Sequence, residues 1–291
     1  MNRILDAKWL ASDVKWFRIQ APLVARHREP GQFVIVRVQE TGERIPLTVA
    51  DSNTDCGSID LIVKAVGKTT ELLCSKERDD FISDIAGPLG RPTELCTDGR
   101  VIVIGGGVGT AVIYPLARAL RAARCHVTAI IGGRTHDHIV LESELAEVSN
   151  EVLPCADDGS YGFRGNVAGQ LRKLIDQTQD PIDMIYAAGP VPMMKAVADL
   201  TRDANIKTVV SLNPIMVDGT GMCGGCRVNV GGETLYACVD GPEFDAHEVD
   251  YESLANRLTA YRTQERAALK STEKHCQVEA NLQYTDRKRC H

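Results

Sequence analysis

Three cysteines crowd one glycine-rich stretch, and their spacing points to metal chemistry. Cys223 and Cys226 close the run Asp218-Gly219-Thr220-Gly221-Met222-Cys223-Gly224-Gly225-Cys226, and Cys238 follows after eleven intervening residues. Plant-type two-iron centres use C-x4-C-x2-C with a distant fourth cysteine, and this run fits that spacing with Asp218 in the first cysteine's place. Glycines between ligands let a loop wrap a cluster whose sulfides need backbone N–H donors, where any side chain would intrude. Three thiolates and one carboxylate would then hold a 2Fe-2S centre. A structural zinc site could draw on the same atoms, although such sites usually have paired C-x2-C knuckles and here there is one. Aspartate before glycine is also a common turn former, so the spacing alone leaves the role of Asp218 open.

A second run suits phosphate rather than metal. Gly105-Gly106-Gly107-Val108-Gly109-Thr110 lies between an all-apolar strand, Val101-Ile102-Val103-Ile104, and a helical stretch through Ala123. Glycines let backbone amides approach a pyrophosphate, and the helix start offers unpaired N–H groups with a favourable dipole. Pro115 falls inside that helix and predicts an irregular or delayed first turn. The acidic residue that grips an adenosine ribose belongs at the end of the second strand, but there the chain reads Ile131-Gly132-Gly133-Arg134. Arg134 could meet a 2′-phosphate, the pyrophosphate or only water, which leaves NAD against NADP undecided.

The elements around these runs divide the chain. Residues 1–97 read as short β-branched strands, among them Phe33–Val38, Ile45–Val49 and Ile59–Val66, bounded by Gly, Asp, Asn and Ser; a small barrel is expected. Gly87-Pro88-Leu89-Gly90-Arg91-Pro92 marks a boundary near Asp98. Over 98–210 strands alternate with helices (strands at His126–Ile131 and Met184–Ala188, helices at Gly169–Gln177 and Val191–Ala204), the pattern of a parallel sheet wrapped by helices. Residues 211–250 are too irregular for a core of their own without a staple, which a metal would supply. Over 251–291 a helix is expected at Tyr251–Leu269, followed by a polar tail.

Composition sets the outer bounds. The 291 residues are 44% hydrophobic and 25% charged, enough for more than one core and too apolar for a disordered chain. Lys plus Arg of 33 against Asp plus Glu of 39 lacks the basic excess that nucleic acid binding requires. Neither a membrane span nor an export signal is legible, so a cytoplasmic location is expected. In that compartment the ten cysteines stay reduced. Cys56, Cys74, Cys96, Cys125 and Cys155 then read as small buried hydrophobes, while Cys276 and Cys290 in the tail receive no role.

In order along the chain, Gly105–Ala111, Asp157-Asp158-Gly159-Ser160-Tyr161-Gly162, Ala188-Gly189-Pro190-Val191-Pro192-Met193-Met194 and the cysteine loop resemble the ferredoxin-NADP reductase superfamily over residues 1 to about 250. More narrowly they resemble the branch that holds the electron-transfer subunits of dihydroorotate dehydrogenase B and the small subunits of NADH-dependent, electron-bifurcating ferredoxin:NADP oxidoreductases (sulfide dehydrogenases). Leu212–Cys223 is similar to the bifurcating small subunits, because the dihydroorotate-linked ones carry cysteine where this chain has Asp218.

That resemblance implies a flavin-binding antiparallel barrel, a Rossmann-like parallel-sheet nucleotide domain and a small C-terminal iron-sulfur subdomain. It implies FAD held by Arg44, Pro46, Leu47 and Thr48, with Arg44 on the pyrophosphate, and by Lys64, Ala65, Gly67, Lys68, Thr69 and Thr70. NAD(H), with NADP(H) as the variant, would be held by Gly105, Gly106, Gly107, Val108, Gly109, Thr110, Arg134, Asp157, Asp158, Gly159, Ser160, Gly189, Pro190 and Met193. The cluster ligands would be Asp218, Cys223, Cys226 and Cys238. Ala188 departs from the many reductases that place a cysteine facing the nicotinamide, which removes any thiol role there but leaves hydride transfer. The implied partner is a larger flavin and iron-sulfur subunit, with ferredoxin reached through it. Rival functions are electron transfer to a dihydroorotate dehydrogenase and a non-enzymatic zinc-stapled module.

Overall fold

The computed structural model describes residues 1–269. The expected tail residues His275, Cys276, Cys290 and His291 lie outside that range.

The first seven strands are β1 (Asn2–Ala11), β2 (Val14–Gln20), β3 (Phe33–Arg37), β4 (Arg44–Asn53), β5 (Ser58–Lys64), β6 (Phe81–Ile82) and β7 (Asp84–Leu89). They form one antiparallel sheet in the order β6-β1-β2-β5-β4-β3-β7. Its two outer strands are separated in sequence only by Ser83, whose N–H donates to the Val38 carbonyl at 3.3 Å, so the sheet nearly closes on itself as a barrel. Alternation explains the closure: Ile4, Phe17, Ile19, Val34, Val36, Ile59 and Leu61 all point inward into one buried cluster. Two short helices, α1 (Pro22–His27) and α2 (Lys68–Cys74), plug the connections.

The period then changes from two to 3.6. β8 (Arg100–Gly106), α3 (Thr110–Ala122), β9 (His126–Gly133), α4 (Glu142–Val148), β10 (Glu151–Ala156), β11 (Phe163–Arg164), α5 (Val167–Gln177), β12 (Met184–Ala188), α6 (Val191–Asp203) and β13 (Thr208–Ser211) build the second sheet. Its order is β11-β10-β9-β8-β12-β13, all parallel, and it reverses direction between β8 and β12. Ligands of open parallel sheets bind outside the carboxyl ends of the strands at such a switch point. A 3-10 turn at Gly107–Gly109 precedes α3, and Pro115 sits buried within the helix, in keeping with the expected delayed start.

The cysteine segment contributes the hairpin β14 (Arg227–Val230) and β15 (Glu233–Tyr236) and the strand β16 (Glu243–Asp245), which pairs antiparallel with β13 and completes the second sheet. Its apolar residues Met216, Cys226, Val228, Ala237, Cys238 and Phe244 join the core that covers one face of the parallel sheet. The helix expected over Tyr251–Leu269 is interrupted. α7 (Tyr251–Leu258) ends in i→i+3 bonds, Thr259 N–H to Asn256 and Ala260 N–H to Arg257, and helical structure resumes over 262–269.

Two singly placed cysteines depart from the buried reading: Cys56 is exposed at the β4–β5 turn and Cys96 half-buried in the linker to β8, because both lie outside the strands whose inward faces they were expected to share. No helix among the described residues is long and apolar enough to cross a membrane.

Barrel and sheet are held together by a separate apolar cluster in which Val14, Ala50 and Ile62 meet Ala111, Val140 and Leu141, with Val108 of the glycine loop against it. An ion pair flanks this cluster. Arg118 of α3 donates to both oxygens of Asp51 on β4, at 2.7 and 2.6 Å. Burial opposes ionisation of Asp51, but the hydrogen bonds from Arg118 and from Ser52 N–H hold its carboxyl below the usual range. Both side chains are about one-third exposed, so water screens the pair, and Arg118→Met is expected to lower unfolding stability by only about 1 kcal/mol. A denaturant midpoint unchanged from the parent would show that the apolar cluster alone joins the two halves.

Candidate functional site

The glycine loop at the end of β8 is built by close approach. A Cβ on Gly109 would stand 2.2 Å from the carbonyl oxygen of Ala188, the last residue of β12. The start of α3 therefore lies directly on the neighbouring strand end, at the switch point. Met193, near the start of α6, lays its thioether against both Gly106 and Gly189, so the loops leaving β8 and β12 touch. The predicted residues Gly105–Thr110, Gly189, Pro190 and Met193 thus meet in one crevice.

The ends of β9 and β10 supply a second wall. Asp157 N–H donates to the Gly133 carbonyl at 3.1 Å and Asp158 N–H to the Arg134 carbonyl at 3.3 Å. Carboxylates absent from the end of the second strand arrive instead from the third. Hydrogen bonds from the Ser160 hydroxyl and N–H hold Asp158 below the ordinary carboxylate range, so it is an anion at neutral pH. Two further residues belong here that sequence reasoning did not select: the His136 ring lies 4.5 Å from the Tyr161 ring, and Tyr161 hydroxyl donates to Glu142 at 3.0 Å. Their signal was a ring on each of the two loops, visible only once the strand ends were known to be neighbours.

On the barrel, Arg44, Pro46 and Thr48 share the outer face of β4, while Ile45 and Leu47 pack against the barrel core. Leu47 can therefore present only its backbone to a ligand on the outer face. Arg44 Nε donates to the Val217 carbonyl at 2.9 Å, next to Asp218, and its Nη1 stands 3.9 Å from Asp84. At the start of α2 the Thr70 hydroxyl accepts from Val66 and Gly67 N–H, both at 3.0 Å, and Thr69 is bonded to Glu43. Ala65 packs against the barrel core, and Lys64 is paired with Asp13 at 3.2 Å, leaving its neighbour Lys68 as the cation at the helix start.

The cysteine loop is seated on the barrel. Gly219 has a φ of +79°, and a Cβ there would meet Leu89 at 2.6 Å and Ile35 at 2.8 Å, so only glycine fits. The four predicted ligands fall into two pairs. Asp218 Oδ1 faces Cys223 Sγ at 3.4 Å on the exposed side, and Cys226 Sγ faces Cys238 Sγ at 3.1 Å in the interior. Among the described residues no three His, Cys, Asp or Glu side chains converge on a single point as one metal ion would require. Two donors on each side suit a dinuclear centre, in which each metal takes two protein ligands and shares bridging sulfides. The residues present thus fit a 2Fe-2S cluster better than one zinc.

The loop is anchored around those pairs. Gly225 N–H points at Cys223 Sγ at 3.4 Å, Arg227 donates to the Gly224 carbonyl and Arg257 of α7 to the Gly225 carbonyl, both at 2.9 Å. Burial raises the Cys238 thiol, and the neighbouring Cys226 thiol raises it further, so Cys238 stays protonated at neutral pH without metal and loading must release its proton. Asp218 is the opposite: Thr220 N–H, the Cys223 thiol and N–H and the Thr220 hydroxyl hold its carboxyl at about 2.

Comparison with known proteins agrees with these three regions. Residues 2–93 match the oxidoreductase FAD-binding domain family, 103–199 the oxidoreductase NAD-binding domain family, and 213–250 the iron-sulfur cluster binding domain of dihydroorotate dehydrogenase B. A Thermotoga maritima protein described as a homolog of the dihydroorotate dehydrogenase B (NAD(+)) electron transfer subunit is 47% identical, covering 91% of this chain and 93% of its own. The Desulforamulus reducens electron transfer subunit is 32% identical over 87% of this chain and all of its own. A chain from a solved structure of an NADH-dependent reduced ferredoxin-NADP oxidoreductase, described in terms of flavin-based electron bifurcation, superposes with a TM-score of 0.88 at 44% identity, covering 94% of this chain and 98% of that one. Phthalate dioxygenase reductase, at 16% identity and a TM-score of 0.55 over 79% of this chain and 86% of its own, shares the fold.

Proposed function

Because the chain belongs to the dihydroorotate dehydrogenase B electron-transfer subunit family, an oxidoreductase family with FAD-, NAD- and iron-sulfur-binding parts, we propose that it is the NAD(H)-handling small subunit of a heteromeric NADH-dependent ferredoxin:NADP oxidoreductase. It works with a larger flavin and iron-sulfur subunit in the cytoplasm, and ferredoxin is reached through that partner. The carrying observation is Asp218, a carboxylate rather than a thiol, set against Cys223 Sγ at 3.4 Å in the position where dihydroorotate-linked subunits have cysteine.

The chain's own residues bind and align. Gly105–Thr110 and Gly189–Met193 cradle the dinucleotide diphosphate at the switch point, where α3 offers its first N–H groups. Arg134, Asp157, Asp158, Gly159 and Ser160 form the adenosine end, and the anionic Asp158 there favours a free 2′-hydroxyl over a 2′-phosphate, hence NAD(H). Arg44, with one nitrogen engaged by Val217, has its remaining donors for the flavin diphosphate together with Lys68 and the start of α2. Asp218 with Cys223 and Cys226 with Cys238 would hold the two irons. Bound flavin would supply the exchange between two-electron hydride chemistry and the one-electron chemistry of a 2Fe-2S cluster. No side chain is needed as nucleophile or general base.

Asp218→Cys and the parent, prepared anaerobically, test the carboxylate ligand: a changed cluster midpoint and visible spectrum is expected, and identical values would remove Asp218 from the ligand set. The electron-transfer role in a dihydroorotate dehydrogenase is the second reading, favoured by the match over residues 213–250. The partner that copurifies separates the two. A flavin and iron-sulfur partner with NADH oxidation that depends on NADP and ferredoxin supports the first; a partner that oxidises dihydroorotate supports the second.

A further inference from the structure

The Asp218 carboxylate has almost no free acceptor capacity. Each carboxylate oxygen accepts along two lone-pair directions. Oδ2 uses both, accepting from the Thr220 hydroxyl at 3.1 Å and from Cys223 N–H at 3.1 Å. Oδ1 accepts from Thr220 N–H at 3.0 Å, and its remaining direction faces Cys223 Sγ at 3.4 Å. That direction accepts from the Cys223 thiol and is released when the sulfur gives up its proton to a metal. Thr220 supplies two of the four protein donors, one from its backbone and one from its side chain, and Cys223 the other two. The backbone donor survives any substitution but proline, while the hydroxyl is specific to threonine or serine.

Building on the assignment of Asp218 as an iron ligand, we propose that Thr220 is a positioning residue for it: the hydroxyl saturates Oδ2, so the carboxylate binds iron through Oδ1 alone. The same hydrogen bond draws negative charge from the ligand. Donors to a ligand stabilise the more negative, reduced cluster, so their loss favours the oxidised form and lowers the midpoint. An alanine or valine at 220 also frees one lone pair of Oδ2, which opens a two-oxygen mode of binding. Glycine neighbours on both sides, Gly219 and Gly221, leave Thr220 as the one side chain between Asp218 and Met222.

The test uses the full chain carrying flavin and cluster, with electron paramagnetic resonance of the reduced cluster and its midpoint as readouts. Thr220→Val and Thr220→Ala are expected to shift the midpoint to more negative values and to alter the g-values, while Thr220→Ser keeps both at the parent's. Thr220→Ala removes the hydroxyl without adding bulk, so it answers the question even where valine disturbs the loop. Asp218→Asn serves as the reference and should change both readouts. If Asp218→Asn does so while Thr220→Ala and Thr220→Val match the parent, the positioning role is overturned and the ligand assignment stands. A serine variant displaced as far as alanine also overturns it. If Asp218→Asn leaves both readouts untouched, the ligand assignment itself falls.

Discussion

Replacing Gly109 by alanine is expected to weaken flavin reduction by NADH about 100-fold while leaving flavin and iron-sulfur absorption in place. The backbone of Gly109 is ordinary helical conformation, with φ of −58°, so alanine is not excluded by its torsions. The obstacle is the opposite strand: the added Cβ would stand 2.2 Å from the Ala188 oxygen and 2.6 Å from its carbonyl carbon. Neither atom belongs to a side chain that can turn away. Relief requires the start of α3 to lift from β12, but Ala111, two residues on, is fixed in the apolar cluster against Ala50 and Ile62 of the barrel. Overpacking of this kind costs roughly 3 kcal/mol, equivalent to about 100-fold in nucleotide affinity or rate. Stopped-flow bleaching of the flavin by NADH reads the loss, and bleaching by dithionite, which needs no nucleotide site, serves as the control. Parent-like NADH kinetics would show that the crevice between β8 and β12 is not where the nucleotide binds.

Glu243→Gln is expected to make the protein more stable in alkaline solution and to flatten its stability between pH 5 and 8. Glu243 opens β16, half-buried beside Leu116, Tyr186 and Val209. Burial pushes its titration from 4.5 up to about 7, while the Thr93 hydroxyl, donating at 2.9 Å, works in the other direction. Between those two values the native protein holds a proton that the unfolded chain has released. Stability therefore falls as pH rises through this window, and above it the loss reaches about 3 kcal/mol. Glutamine is neutral throughout and its oxygen still accepts from Thr93. The variant should gain up to about that amount over the parent at pH 8 and little at pH 5. Denaturant midpoints for both proteins at the two pH values measure it; parallel profiles would mean that Glu243 is ionised in the native state without cost.

Much of the site was legible because its signals are local. Strand, glycine loop and helix follow one another between Val101 and Ala122, so the proposed phosphate cradle needed only the contiguous pattern. Likewise the Asp218–Cys226 spacing is set within a single loop. The proposed adenosine end was only partly legible. The end of β9 lacks a carboxylate, and its substitute, Asp157-Asp158, sits beside Arg134 only because β10 lies next to β9 in register, Ala156 opposite Gly133. His136 and Tyr161, on those same two loops, stayed hidden for the same reason. Leu47 looked like its neighbours Pro46 and Thr48 until the strand's alternation turned it toward the barrel core.

Residue order, hydrophobic period and cysteine spacing thus determined that the chain has a barrel, a parallel nucleotide sheet and a metal loop, since each is announced by short local runs or spacings. How the four proposed ligands pair was decided elsewhere. Asp218 is paired with Cys223, and Cys226 with Cys238, because the loop folds with one pair in the core and the other toward solvent. Arg44 reaches Val217 across 173 residues of chain, Arg118 reaches Asp51 across 67, and Glu243 loses its water to residues of α3 and β12. Contacts of that range arise from strand order and burial, and neither leaves a mark on the residues adjacent in sequence.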